Sequence, residues 1–326
     1  MSEDTQGSIP CVSVIMNCRN CSKDLAQALD SLMAQTFTDF EVIFFDNGSC
    51  DASPAIAQSY GEKIRYVRGE IPVPLGAARN LAIREAAGEF IAFLDCDDLW
   101  RPEKLAKQVA CFRQDSRIGL VCTDTVLFDG RRELGRVFAG STPARGMVFA
   151  ELMQRQWISM SSAMIRREAL KSLGEEARAW TGGWFDETLN VCEEADVFYR
   201  IAHDWKLDYV DEPLTLWRIH GGNTTFKHFG QFAEETLTIL QKQRTLYPGY
   251  DHDYADLVQL LTRRANFQKA IDLWHQQKGS QARALLRSIT DPSLKHRLFY
   301  LVSFLPGSLF DLMAKIYFAL PASLRR

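Results

Sequence analysis

Apolar positions in the first half of the chain alternate between two periods. Cys11-Val12-Ser13-Val14-Ile15-Met16 is a short β-rich run, and Asp24 to Gln35 then carries Leu25, Ala28, Leu29, Leu32 and Met33 at helical spacing. Phe40 to Phe45 is a second strand pattern, stopped by Asp46-Asn47-Gly48-Ser49. Ser53-Pro54 opens a helix to about Tyr60, and Ile64 to Val67 is a third strand. Gly76 to Ala87 reads as a helix with Gly88 as its C-cap, and Phe90 to Leu94 is a fourth strand. Strands separated by helices of about a dozen residues predict βαβ units and a mostly parallel sheet flanked by helices, an α/β fold of Rossmann-like type.

From Pro102 onward the alternation loosens. Glu103 to Arg113 is predicted helical, Ile118 to Thr123 a strand, and Thr125 to Phe138 a hairpin turning at Asp129-Gly130. Met147 to Arg155 is a helix, Ser161 to Ile165 a short strand, Arg167 to Leu173 a helix, Glu193 to His203 a helix, and Leu207 to Val210 a strand. Beyond Thr225 only helical patterns remain. Three regions follow: a polar, disordered N-terminus over 1–9, a catalytic α/β region over 10–228, and an α-helical C-terminal extension over 229–326. In that extension Phe267 to Trp274 and Ser280 to Ile289 form a helix pair joined at Lys278-Gly279. Leu309, Leu312, Met313, Ile316 and Leu320 share one helical face, followed by Arg325-Arg326. Pro306-Gly307, Asp311 and Lys315 interrupt the apolar stretch. The segment therefore suits an amphipathic helix lying in a membrane interface better than a span, which needs roughly 20 apolar residues.

Composition narrows the class without naming it. The chain has 326 residues, 46% apolar and 24% charged, with a net charge of −3. That balance gives no support for nucleic-acid binding. Met1 to Pro10 lacks the apolar core of a signal peptide, so the protein is expected to start in the cytoplasm. The cysteines are at 11, 18, 21, 50, 96, 111, 122 and 192. Only Cys18-Arg19-Asn20-Cys21 has Cys-x-x-Cys spacing, and no second pair accompanies it. Reduced, non-ligating thiols are the expectation.

Candidate chemistry gathers at the strand ends. Asp95-Cys96-Asp97-Asp98 follows the fourth strand, and three carboxylates so close repel unless a cation sits among them. Ligands of open parallel sheets bind beyond the carboxyl ends of the strands, so a metal–diphosphate site is expected there. A helix cap is the competing reading, and Asp98 is placed to cap the helix that follows. Asp46-Asn47 ends the second strand and faces the same edge, where it can meet a base. Gly76-Ala77-Ala78-Arg79-Asn80 opens a helix whose small residues permit close approach and whose Arg79 suits an anionic group.

Glu193-Glu194-Ala195-Asp196 starts another helix. Residues 193, 196 and 200 share a face on which Asp196 can pair with Arg200, whereas Glu194 lies about 100° round from Glu193 without a partner on its own helix. The helix N-terminus is expected to hold Glu194 ionised, the state a general base needs. Arg218-Ile219-His220, followed by glycines, can bind a metal or a phosphate.

Taken in order, Ser13 to Met16, Gln35 to Val42, the Asp46 turn, Ala78-Arg79-Asn80, Gly88 to Asp98, Glu193-Glu194 and Arg218 to His220 resemble the family 2 glycosyltransferases of GT-A fold. The likeness covers roughly residues 10–225. It implies that the first-strand region with Asn17, together with Asp46-Asn47, holds the base. Arg79 and Asn80 would help bind the nucleotide. Asp95 and Asp97, with Asp98 nearby and His220 beside the metal or diphosphate, would bind ribose and a Mg2+ or Mn2+. Glu194, within the pair begun by Glu193, falls where the family places its catalytic base. The implied reaction is a single inverting displacement. A sugar leaves a nucleotide-diphosphate donor for a saccharide or glycolipid hydroxyl, in surface polysaccharide synthesis at the inner face of the plasma membrane. A nucleotidylyltransferase is the first alternative, although Asn17-Cys18-Arg19-Asn20 stands where its Gly-rich loop belongs. The second is a non-catalytic nucleotide-sugar or glycan binding protein.

Overall fold

A computed structural model describes residues 9–174, 181–220 and 229–306. The chain divides into two compact units, Met1–Gly221 and Gly222–Arg326. The expected amphipathic segment from Leu309 to Leu320, Arg325-Arg326, Gly221 to Thr224 and the polar stretch 1–8 lie outside the described residues.

Unit 1 is built on one sheet. Its strands are β1 (Val12–Cys18), β2 (Phe40–Asp46), β3 (Arg65–Arg68), β4 (Phe90–Phe93), β5 (Leu99–Trp100), β6 (Ile118–Phe128), β7 (Glu133–Arg136), β8 (Met164–Arg166) and β9 (Lys206–Arg218). They lie in the order β3-β2-β1-β4-β8-β6-β9-β5, with β7 beside β6. The pairs β1–β2, β1–β4, β2–β3 and β6–β9 are parallel, as the βαβ pattern predicts. β8 runs antiparallel between β4 and β6. Its neighbours are therefore joined across an inserted strand, which the alternation near the N-terminus gave no reason to expect.

The helices of this unit are α1 (Leu25–Met33), α2 (Ser53–Gln58), α3 (Leu75–Glu85), α4 (Lys104–Phe112), α5 (Phe149–Gln154), α6 (Arg167–Lys171) and α7 (Glu193–Asp204). Val12, Val14, Met16, Val42, Phe44, Phe90 and Ala92 pack with Leu25, Leu29 and Leu32 of α1 and Leu105, Val109 and Phe112 of α4. Ile15, Ile43, Ile91 and Phe93, which alternate with them along the strands, are buried as well. Burial on both faces is why these strands read as continuous apolar runs rather than as alternation.

Two expectations change in the structure. α3 ends at Glu85 with Ala86 as its C-cap, so Gly88 is not a cap. Gly88 is small because β1 passes against it: a Cβ there would lie 2.5 Å from Ser13 N and 2.7 Å from Val12 C. Gly88→Ala is expected to lower stability by about 1–3 kcal/mol, since a strand buried on both faces has little room to shift. Urea unfolding measures this, and an unchanged midpoint would mean that β1 moves aside freely.

The second change concerns β9, which runs thirteen residues to Arg218 where only Leu207 to Val210 was expected. Asp211-Glu212-Pro213 lies beyond the expected strand, yet the ladder merely shifts register there, with Asp124 opposite Pro213. Proline is tolerated in a strand at such irregularities.

Unit 2 is helical throughout its described residues: α8 (Phe229–Leu246), α9 (Tyr250–Asp253), α10 (Ala255–His275), α11 (Gly279–Ser288) and α12 (Leu294–Val302). The expected helix pair is present. Phe267, Ala270 and Trp274 pack on Ala282, Leu286 and Ile289 around a turn in which Gln277 has φ +64°. No helix among the described residues is long and apolar enough to cross a membrane.

Candidate active site

The parallel register brings the strand ends to one edge. Cys18 pairs with Asp46, and Asp46 with Arg68. β4 pairs with β1 through Ile15 and Phe93, so the acidic tetrad emerges beside Asn17 and Cys18. Both acidic turns thus open on the same side of the sheet.

Within the tetrad the three carboxylates have different surroundings. Asp98 is buried, and it accepts hydrogen bonds from the Ser161 hydroxyl at 2.6 Å and the Arg218 backbone N–H at 2.9 Å. It does not cap α4. That helix begins only at Lys104, with β5 in between and Glu103 at its N-cap. Burial, reinforced by Asp95 and Asp97, pushes the Asp98 carboxyl well above its ordinary value. Asp95 and Asp97 instead reach the surface, with side chains 42% and 32% exposed. Enclosure among protein atoms raises the Asp95 carboxyl, and neighbouring Asp97 and Glu193 add to the rise against the opposing pull of Arg79.

β9 delivers the remaining parts of this turn. The Arg218 guanidinium donates to the Asp97 carbonyl at 2.7 Å and to Gln27 at 3.0 Å, and it lies over the Phe128 ring. Arg218 therefore fixes the backbone of the turn. His220 Nε2 stands 2.9 Å from Asp97 Oδ2. The Ser161 hydroxyl also accepts from the Asp95 N–H at 3.1 Å. Ser161 sits just before β8, where the sequence predicts a strand but marks no site residue.

Arg79 has an unexpected set of partners. It is buried in α3, with NH1 2.6 Å from Glu193 Oε1 and 3.7 Å from Glu194 Oε2, and NH2 3.7 Å from Asp95 Oδ1. Its guanidinium also lies over the Phe185 ring at 5.4 Å. One cation thus faces three carboxylates from two segments far apart in sequence. The guanidinium is surrounded by this chain's own acids rather than facing an open anion site.

α7 supplies two of those acids. Asp196 and Arg200 pair within the helix at 2.8 Å, as their spacing predicts. Glu193 is buried, and its Oε2 has no hydrogen-bond partner among the described residues. Glu194 keeps a side chain 32% exposed. The helix N-terminus would hold it ionised, but the surroundings reverse that expectation: burial first, then Glu193 and Asp95, raise its carboxyl to about 8.

The remaining candidates form the walls. Asp46 is buried, and it accepts from Ser49 N at 2.8 Å, the Tyr66 hydroxyl at 2.6 Å and Arg68 at 3.2 Å. Asn47 donates to the Val73 carbonyl at 2.8 Å and accepts from the Val73 N–H at 2.9 Å. Asp46 thus ties β3, and Asn47 the segment after it, to the end of β2. Asn80 is likewise occupied, binding both the carbonyl and the N–H of Phe185 at 2.9 Å and Glu187 at 3.0 Å. Gly76 is small for the same loop, since a Cβ there would lie 2.9 Å from the Asp186 carbonyl oxygen. The small residues of α3 thus admit the 181–187 loop. Asn17 differs, because its buried Nδ2 has no partner among the described residues and is free to donate.

The donor set at the tetrad suits a hard divalent cation that shares its ligands with a substrate. Asp95 and Asp97 offer exposed oxygens. Asp95, Asp97 and His220 do not draw their ligand atoms into one group within 4.8 Å, the spacing that three cysteines of this unit do reach. Mg2+ and Mn2+ are commonly held by one or two carboxylates, with phosphate oxygens completing the shell. An incomplete protein cage of two carboxylates fits that habit.

Known proteins share this region. Residues 13–174 match the family described as Glycosyl transferase family 2. An uncharacterized glycosyltransferase of Methanocaldococcus jannaschii is 30% identical over 220 residues, covering 64% of this chain and 71% of that protein. The putative glycosyltransferase EpsE of Bacillus subtilis is 32% identical over 143 residues, 43% of this chain and 51% of the relative. The chain therefore spans about half the length of that relative. The mannosyltransferase PcManGT of Pyrobaculum calidifontis, solved with GDP-Man and Mn2+, superposes with a TM-score of 0.60. That match covers 93% of this chain and 81% of the other at 18% identity, a likeness of fold. The sheet and its flanking helices are those of the GT-A glycosyltransferases. With the matched residues carrying β1 to β4, the acidic turn and the inserted β8, this chain belongs to glycosyl transferase family 2.

Proposed function

We propose that this glycosyltransferase works by inversion and depends on a divalent cation. It would move a sugar from a nucleotide-diphosphate donor to the hydroxyl of a saccharide or glycolipid, in the synthesis of a surface polysaccharide. One observation carries the reading. The buried Arg79 gathers Asp95 from the acidic turn and the Glu193-Glu194 pair from α7, so a carboxylate of the acidic turn and a titratable base stand around one guanidinium.

The roles follow from placement. Asn17 Nδ2, unpartnered at the end of β1, is available to a base carbonyl, while Asp46 and Asn47 hold the wall beside it. Asp95 and Asp97 would hold Mg2+ or Mn2+ with diphosphate oxygens. When bound, the cation neutralises the charge that grows on the departing nucleoside diphosphate. His220, against Asp97, orients that carboxylate. Glu194 removes the proton from the acceptor hydroxyl as that oxygen attacks the anomeric carbon from the face opposite the leaving group. Arg79 keeps the three carboxylates together without competing for the diphosphate. Contact with a membrane through the segment from Leu309 to Leu320 would suit a lipid-linked acceptor, a role that rests on the sequence pattern alone.

A panel of UDP- and GDP-sugars, each assayed with Mn2+ or Mg2+, tests the reading. One donor is expected to release its nucleoside diphosphate only when cation is present, with chelation abolishing release. The product should carry the anomeric configuration opposite to the donor's by NMR. Silence with every donor and both cations, or retention of configuration, would overturn it.

A further inference from the structure

β1 ends at Cys18, the chain turns through Arg19 and Asn20, and Cys21 follows before α1. Asn20 adopts φ +57°, which makes this turn tight. The parallel pairing of β1 with β4 carries the tetrad past the same point, and Cys96 Sγ comes within 3.3 Å of the Asn17 carbonyl oxygen. The sulfurs of Cys18, Cys21 and Cys96 consequently all lie within 4.8 Å of one another. All three are free thiols, with Cys18 and Cys96 buried. The thiols are reduced, as expected, but the convergence of these three is not visible in their sequence spacing.

The cluster is held in place by its surroundings. Cys21 N donates to Ser53 Oγ at 2.9 Å, Ser22 N to Asp51 at 2.9 Å, and Cys50 N to Asn20 Oδ1 at 2.8 Å. The loop bearing Cys21 is therefore tied to the segment before α2 by groups other than sulfur. Thiolates bind Zn2+ at about 2.3 Å, so sulfurs around one tetrahedral ion lie about 3.8 Å apart. Small side-chain rotations close that gap.

Donor chemistry separates this cluster from the acidic site. Within the tetrad, Asp95 and Asp97 reach the surface while Cys96 between them is only 3% exposed. Hard carboxylates thus face the surface and soft sulfur faces the interior. Soft thiolates select Zn2+, whereas carboxylates select Mg2+ or Mn2+.

We propose that Cys18, Cys21 and Cys96 together bind one Zn2+ beneath the acidic turn, with an oxygen donor in the fourth position. Three thiols release their protons to solvent as the ion enters, and nothing is oxidised or reduced. The ion clamps the backbone of Cys96 to the end of β1 and so sets the spacing of Asp95 and Asp97 above it. The inference stands on the sulfur geometry and does not depend on the donor or acceptor of the transferase.

Cobalt titration of the full, reduced chain in excess Mg2+ tests it. One equivalent of Co2+ is expected to produce an intense near-ultraviolet sulfur-to-cobalt absorption, which one equivalent of Zn2+ then bleaches. Cys21→Ser should weaken Co2+ binding by about tenfold or more, whereas Cys50→Ser and Asp97→Asn leave the band unchanged. In the native chain, Zn2+ should slow alkylation of the partly exposed Cys21 by iodoacetamide but not that of exposed Cys50, a readout independent of any variant. Absence of the band in the native chain, its survival in a Cys21→Ser, Cys96→Ser double variant, or equal alkylation with and without Zn2+ would each overturn the proposal.

Discussion

Glu194→Gln is expected to lower kcat for sugar transfer by about 10³-fold, within the range removed with a general base, while binding of the nucleoside diphosphate changes little. The substitution keeps the side chain's length and shape and removes only its capacity to accept a proton. The pH profile supplies a second signature. Burial and the neighbouring Glu193 and Asp95 raise the Glu194 carboxyl to about 8, so below that pH it is largely protonated and cannot act as a base. The native kcat/KM should therefore climb with rising pH through a midpoint near 8 and level off above it. A bound divalent cation favours the carboxylate and moves the midpoint lower. The variant should lose this limb altogether.

Stability should move the opposite way. A carboxyl whose folded value lies above its ordinary 4.5 contributes stability that is full below that value and lost as pH rises through about 8. Neutral glutamine does not ionise, so the variant should be at least as stable as the native chain at pH 8. A variant that retains turnover within tenfold of the native chain, or an unchanged pH limb, removes Glu194 from this role.

The second large effect concerns the cation at the centre of the site. Arg79→Met is expected to lower conformational stability by about 3–5 kcal/mol at pH 8, the range for breaking a buried ion pair from one side. Methionine fills much of the same space, but Glu193 loses its 2.6 Å partner and stays buried, with Asp95 and Glu194 close by. The deficit should shrink at pH 5, because protonation relieves carboxylates that no longer face a positive charge. Adding Glu193→Gln should recover part of it, since the two side chains form one interaction. Urea unfolding at both pH values measures these effects. Equal losses at pH 5 and pH 8 would mean that Arg79 acts through packing on Phe185 rather than through charge.

Much of the framework is legible in the sequence. Runs such as Val12 to Met16, broken only by Ser13, and Phe90 to Phe93 are apolar because their strands are buried on both faces, and burial of that kind leaves a plain local signature. The acidic tetrad, the Glu193-Glu194 pair and His220 were also visible, because clustered charge beside an apolar run is unusual enough to be noticed. The short strand near Ile165 was legible too, but its antiparallel place between β4 and β6 and the length of β9 were not. The first is a matter of pairing between distant segments, and the second passes through Asp211-Glu212-Pro213, whose irregularity is absorbed by a shift of register against β6.

The division between the two kinds of information has a physical basis. Hydrophobic period and turn chemistry act over a few residues, so the chain by itself determined which segments become strands and helices, and which strand ends carry acid. Partnership between distant side chains depends on sheet register and loop path. Only the tertiary structure decided that Arg79 meets Glu193 across 114 positions, that Asn47 and Asn80 hold loops, and that Ser161 supports two aspartates. The same applies to Cys18, Cys21 and Cys96. Their convergence follows from the parallel pairing of β1 with β4, a contact between strands that no local pattern of residues records.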